Sequence, residues 1–554
     1  MKEVTLHPSW RGYGTLKIAL VAMGITLFAC SSEQEPPQKI SNPKEGSYQV
    51  LSQNWSPELS EKAHHTTFGS RLIPLSWFKN LRDADGTPLN SKANIEKWGF
   101  ISAQKSKINP HALPVGFTLD TAKSGKKWLG LGCAACHTGM VEFNGTKILL
   151  DGGQGMVNFT LFESSIRKAL ENTYQNEAEI KRVALLIGET EEELKLSMAS
   201  RIDYLKSRQQ INATPVDYGY GRLDAFGQIF NTVGVELLGI PENRLVPDAP
   251  VSYPVLWNAP HLDLVQWNGS APNAGPGPLF QNVTTAIAVY GQMEVKGSDE
   301  SLGYKSTVDI PNLKQIEKWL YQLQSPQWPE NILGKLDQSK VAAGEKIYSE
   351  NCLRCHQLVD RNNLDSKLKA TLVDVNEIGT DPKMVDNFIN AKVKSGEWEG
   401  KKVLWLAGET IEKEDQSIKL VAHAAAGAAL HHPLQTLDAI IEDYHSVYKA
   451  AINPSPNYYK ARSLTGIWAA APYLHNGSVL TLEELLSPVS ERRKSFYVGD
   501  RNLDIERVGL ISSEGENRSL FDTTLIGNSN SGHLYGTKLS KSEKHSLLEY
   551  LKSL

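Results

Sequence analysis

The sequence predicts a mainly α-helical chain of two similar halves with long helical and loop insertions. Three observations predict it. The pattern Cys-x-x-Cys-His occurs twice, as "CAACH" at 133–137 and "CLRCH" at 352–356. Each copy is followed by a long middle and then by a segment with apolar residues at helical spacing. The insertions are rich in helix formers, as in "LFESSIRKALEN" (161–172), 177–209 and "TLDAIIEDYHSVYKAA" (436–451), while strand signals such as "TKILLD" (146–151) are few. At 554 residues there is room for two or three domains, and a net charge of −4 offers none of the basic excess of a nucleic-acid binder.

The N-terminus reads as an export leader. Lys2, Arg11 and Lys17 precede the apolar run "IALVAMGITLFA" (18–29), which is short for a membrane span but suits a signal peptide. The run stops at Cys30. "LFAC" resembles a bacterial lipobox, with Leu27 and Ala29 in pattern and Phe28 bulkier than usual. That makes 1–29 a signal peptide, Cys30 the lipidated mature N-terminus, and 30–50 a polar, Pro-containing tether. The expected location is the periplasm, with the chain held to a membrane, the outer one by preference, through its lipid.

With Cys30 assigned to the leader, the other four cysteines are Cys133, Cys136, Cys352 and Cys355, all within the two motifs. Cys-x-x-Cys-His is the c-type haem attachment signal, in which two thiols bond the haem vinyl groups and the His reaches iron. Four cysteines can also close a zinc site, but zinc does not ask for a His after each pair. The expectation is two covalent haems c, with His137 and His356 as proximal ligands.

The second motif follows "SKVAAGEKIYSEN" (339–351), where Gly344 and Tyr348 stand four apart on one helix face. This resembles the N-terminal helix of cytochrome c, which crosses a C-terminal helix. Ser540 and Glu543 predict the capping box of that C-terminal helix, followed by Leu547, Leu548 and Leu551. The first half closes similarly on "IPNLKQIEKWLYQLQSP" (310–326). The expected domains are therefore 51–330, around the first haem, and 331–554, around the second.

The middles share a phrase. "VLWNAPHLDLVQWNGSA" (255–271) and "GIWAAAPYLHNGSV" (466–479) both contain Trp, Ala-Pro and Asn-Gly-Ser, with a gap needed between the last two. In this pairing Trp267 falls where His475 falls. A second strong ligand saturates haem iron for electron transfer, whereas an open position admits peroxide or oxygen. His475 thus becomes the second ligand of haem 2. Trp267, a donor only, sits on the distal side of an open haem 1. His261 competes as a distal group or ligand there, and Met140 and Met293 are weaker candidates. His423, His431, His432 and His445 read as exposed helix histidines.

"CAACHTG" with "FNGTKILLDGGQG" (143–155), "GRLDAFGQIFN" (221–231), "APVSYPVLW" (249–257), "QWNG" (266–269) and "APYLHNGS" (471–478) together resemble the bacterial di-haem cytochrome c peroxidase superfamily. Within it they are most similar to the branch of the latex-cleaving rubber oxygenases. The resemblance implies a mainly α fold of two cytochrome c-like haem domains with long helical and loop insertions. It implies a catalytic N-terminal haem, an electron-relay C-terminal haem, and an interdomain calcium ion for which no local loop motif stands in the sequence. It implies a peroxidase-like oxidoreductase that takes hydrogen peroxide or oxygen at haem 1 and electrons from a small periplasmic donor. Two other functions stay open. One is an oxygenase of an apolar substrate, with Trp257, Trp267, Phe226 and Phe230 around a dry pocket. The other is a non-enzymatic electron carrier with both irons six-coordinate.

Overall fold

The computed structural model describes residues 48–296, 302–443 and 457–554. The predicted leader, Cys30, most of the tether and His445 lie outside the described residues. Residues Tyr48–Leu554 belong to one compact unit. Two of its buried clusters draw on both halves: one joins Val141, Val255 and Trp257 to Trp468 and Leu547, another joins Phe230 and Leu313 to Phe388 and Ala424. Residue 330 is therefore not a break in packing.

The cytochrome c-like crossing predicted for the second half is present. Helix Gln338–Asn351 buries Gly344 and Tyr348 against the C-terminal helix Lys541–Ser553. A Cβ on Gly344 would meet the Ser546 carbonyl oxygen at 2.1 Å, so only glycine lets the helices approach this closely. Tyr348 and Tyr550 pack beside it with ring centroids 5.3 Å apart. The C-terminal helix starts at the predicted capping box, in which Ser540 Oγ accepts from Glu543 N and Glu543 accepts from Ser540 N at 2.8 Å.

In the first half, Asn158 caps helix Phe159–Gln175, which contains the predicted 161–172. The stretch 177–209 forms two helices, Glu177–Ile187 and Glu191–Ile211, because Gly188 adopts a left-handed conformation (φ 76°) and Thr190 opens a new capping box. Helix Ile310–Gln322 closes the half, burying Leu313 and Ile316.

Strands are commoner than the sequence suggests. Of the described residues 40% are helical and 15% lie in strands or bridges, so the fold is helix-rich with many small sheets. Those sheets have two or three strands, and several strands are only two residues long. Such strands are loops brought together by tertiary packing and carry no period-two pattern to read. The predicted "TKILLD" strand is Thr146–Asp151, paired antiparallel with Thr138–Phe143. Asn144 (φ 47°) and Gly145 (φ 77°) make the tight turn between them. Among the described residues no helix is long and apolar enough to cross a membrane.

Candidate functional site

The first motif sits between two strands. Lys127–Leu131 leads through Gly132 into a 3-10 turn at Cys133–Ala135, and His137 is followed at once by strand Thr138–Phe143. Gly116 (φ +83°) packs flat on this turn, where a Cβ would lie 2.1 Å from Ala135 N. Gly155 N donates to the Cys136 carbonyl at 2.9 Å. The strand partner of Thr138 is Asp151, whose buried carboxylate bonds His64 Nε2 at 2.6 Å and Ser60 Oγ at 2.7 Å. Both faces of the motif are thus fixed by backbone.

His137 Nδ1–H donates to the Pro254 carbonyl at 2.8 Å. Burial, with a contribution from Arg462, pushes its pKa down to about 4, so the ring is neutral and its Nε2 carries a lone pair. Burial pushes the Cys133 thiol up to about 11 and the Cys136 thiol up to about 12.

The second motif is built differently and ends alike. Cys352 caps helix Gln338–Asn351, and His356 N returns to the Cys352 carbonyl at 2.9 Å. Tyr348 Oη donates to the His356 carbonyl. His356 Nδ1–H donates to the Arg462 carbonyl at 2.7 Å. Each motif histidine therefore has its tautomer set by one backbone carbonyl, the arrangement that orients an imidazole toward a metal through Nε2. Pro254 lies thirteen residues before Trp267, and Arg462 thirteen before His475. The two carbonyls thus stand at equal distances from the paired positions, although Ala-Pro stays offset between the phrases.

Around Cys352, Cys355 and His356 lies a cavity of about 510 Å³, within the range of cofactor sites. Its wall includes Trp267, Tyr459, Lys460, Arg462, His475 and His533. Burial brings Lys460 down to about 7 and Arg462 down to about 10. His475 Nε2 lies 3.0 Å from Tyr459 Oη, with the rings stacked at 4.2 Å. His533, which sequence reasoning missed, has its ring centroid 6.1 Å from that of His356. Its Nδ1 is buried with no hydrogen-bond partner. The backbone at His533 (φ 48°) follows Gly532, and no repeat of an earlier phrase marks it in the sequence.

Both predicted distal residues lie against segments of the second half. The sequence puts Trp267 on the distal side of the first haem. In the structure its indole lies in the wall of the second cavity, with Nε1–H donating to Ser252 O at 3.1 Å and Arg462 over the ring at 5.0 Å. Ser252 lies two residues before Pro254, whose carbonyl holds His137, so one short segment anchors both the Trp267 indole and that imidazole. His261 is buried, but its Nδ1–H donates to Ser366 O at 2.8 Å and its carbonyl accepts from Leu368 N at 2.7 Å. It pins a loop of the second half to the first. His423 is also buried rather than exposed, held by Lys402 O at 2.8 Å and Tyr304 Oη at 3.1 Å.

Cys133 packs against an apolar cluster that includes Phe230, Leu279 and Leu313, with Phe226 and Phe280 at its edge. Trp257 belongs elsewhere, in the second cavity. Glu317 is a buried carboxylate near this cluster. It accepts from Asn282 Nδ2 at 2.5 Å, and its charge contributes to raising the Cys133 thiol. Among the described residues no cluster of three or more His, Cys, Asp or Glu is arranged to hold a metal ion.

A family described as RoxA-like, cytochrome c-like matches residues 458–498, the segment that holds Tyr459, Lys460, Arg462 and His475. The protein y4iJ of Sinorhizobium fredii is 30% identical over 92% of this chain and 94% of its own length. A second protein of that organism, y4iM, is 25% identical over 50% of this chain and 56% of its own length.

Proposed function

On the premise that the chain belongs to the family of y4iJ and contains a RoxA-like cytochrome c segment, we propose that it is a di-haem c-type oxidoreductase acting on peroxide or dioxygen. The observation that carries this reading is the matched pair of motif histidines, each with Nδ1–H committed to a carbonyl and Nε2 left to bind. The residues fit the group. Cys133, Cys136 and His137 would hold one haem c, and Cys352, Cys355 and His356 another. The unpaired Nδ1 of His533 and the cations Lys460 and Arg462 suit a cofactor with iron and two carboxylates.

When bound, haem supplies redox-active iron at which peroxide or dioxygen can react. The chain's own residues do the rest. Pro254 and Arg462 fix the orientation of the two imidazoles. We assign the catalytic role to the first site, 51–330, and the relay role to the second, 331–554. The contact with His356 favours His533 over His475 as second ligand of the relay haem, because His475 Nε2 is taken by Tyr459. Glu317 is the group best suited to move a proton at the first site, which supports peroxide as oxidant. The apolar side chains around Cys133, Phe226 and Phe230 among them, favour the second reading, a dioxygen-dependent cleavage of an apolar substrate. A non-enzymatic electron carrier is the third reading. It would need a sixth ligand at the first iron. Export, lipidation at Cys30 and a small periplasmic electron donor complete the proposal.

The test is haem quantification as pyridine haemochrome, with low-temperature EPR of the oxidised protein and again after half-reduction. Two haems per chain, one high-spin and one low-spin, are expected. Two low-spin signals in both states would replace the enzyme reading with that of an electron carrier.

A further inference from the structure

We infer that Arg462 is a positioning residue shared by both haem sites, a single buried cation that sets the potentials of the two together. The inference rests on the two-haem reading. Its backbone carbonyl accepts His356 Nδ1–H at 2.7 Å. Its side chain reaches the other way, with Nη2–H donating to the Val255 carbonyl at 2.7 Å. Val255 follows Pro254, whose carbonyl accepts His137 Nδ1–H at 2.8 Å. From one motif imidazole to the other, every link is a covalent bond or one of these three hydrogen bonds.

The charge is as informative as the bonding. The guanidinium lies over the Trp267 ring at 5.0 Å and lines the cavity of the second motif. Lys460 faces it as a like charge, with Asp263 as the carboxylate that acts on Lys460. No ion pair with Arg462 is seen among the described residues. It also stands close to the first site, bonded to the carbonyl of Val255, the residue next to the one that holds His137. A buried arginine held by one carbonyl is a poor structural strut, because an unpaired charge in a low dielectric is costly. It has a purpose where it faces an anionic cofactor and two irons. A fixed positive charge favours the reduced form of a nearby iron, and low dielectric extends its reach.

The experiment is spectroelectrochemical titration of the purified di-haem protein and two variants, with haem counted in each. In Arg462→Gln both midpoints are expected to fall, each by about tenfold in its reduction equilibrium, which is 59 mV for a one-electron couple. In Arg462→Lys, which keeps the charge, both midpoints stay with the parent. A fall of one midpoint alone, or of neither, with both haems loaded overturns the inference and leaves the two-haem reading intact. If Arg462→Gln fails to load both haems, Arg462→Lys decides, and a shift of one midpoint alone in it overturns the inference. Fewer than two haems in the parent protein overturns both.

Discussion

The indole of Trp267 and the imidazole of His475 stand with ring centroids 6.5 Å apart, and one residue holds both. Ser252 O accepts the Trp267 indole N–H at 3.1 Å, and Ser252 N–H donates to the His475 carbonyl at 2.8 Å. The two residues that the repeat pairs across the halves are therefore neighbours in one wall. Shared support means that disturbing either loop is felt at the second cavity.

Removing one motif at a time should remove one haem at a time. Cys133→Ala with Cys136→Ala is expected to leave one covalent haem, and so is Cys352→Ala with Cys355→Ala. Intact mass and pyridine haemochrome check it. Full loss from either pair would mean that the sites assemble only together.

His533→Ala should convert the low-spin EPR signal to high-spin, because the second ligand is lost. His475→Ala should leave that signal low-spin, since its Nε2 is already engaged by Tyr459. The reverse result would return the ligand role to His475.

Glu317→Gln tests the oxidant. Loss of a positioned proton-transfer group lowers turnover by about 10²-fold or more, so peroxide turnover should fall by that order. Dioxygen-dependent cleavage of an apolar substrate should be unchanged. Equal effects on both would show that Glu317 only holds Asn282 in place.

Gly344→Val should destabilise the fold by about 1–3 kcal/mol through overpacking, because its Cβ would lie 2.1 Å from the Ser546 carbonyl oxygen. Denaturant titration measures it. A neutral effect would show that the two helices can slide apart.

Asp224 predicts a pH dependence. Burial raises its pKa from 3.8 to about 6, although its carboxylate accepts from Gly227 N at 2.8 Å and Ala249 N at 2.9 Å. Asp248 adds to the rise and Lys383 opposes it. A raised folded-state pKa means the neutral acid favours the fold. That contribution is complete below pH 3.8 and is lost as pH rises through about 6. The loss is at most roughly 3 kcal/mol. Asp224→Asn, which keeps an acceptor, should flatten the change in stability across this window; an unchanged slope would assign it to other groups.

The sequence by itself determined the two Cys-x-x-Cys-His motifs, because each is local within five residues. It also determined the crossing of the 338–351 and 541–553 helices, since Gly344, Tyr348, the Ser540 cap and the leucines after it are local signals too. The break at Gly188 was legible only as a glycine, because helix formers on both sides hide it. Tertiary structure decided what faces each motif. Pro254 and Arg462 act through backbone carbonyls, which any residue could supply, so no side-chain pattern reveals them. His533 reaches His356 across more than 170 residues on a strained loop, and His261 is turned to Ser366 by a pairing that no periodicity encodes. The motifs are written in adjacent residues. The face that each iron would present is set by contacts between segments far apart in the chain, and those exist only once the two halves have packed.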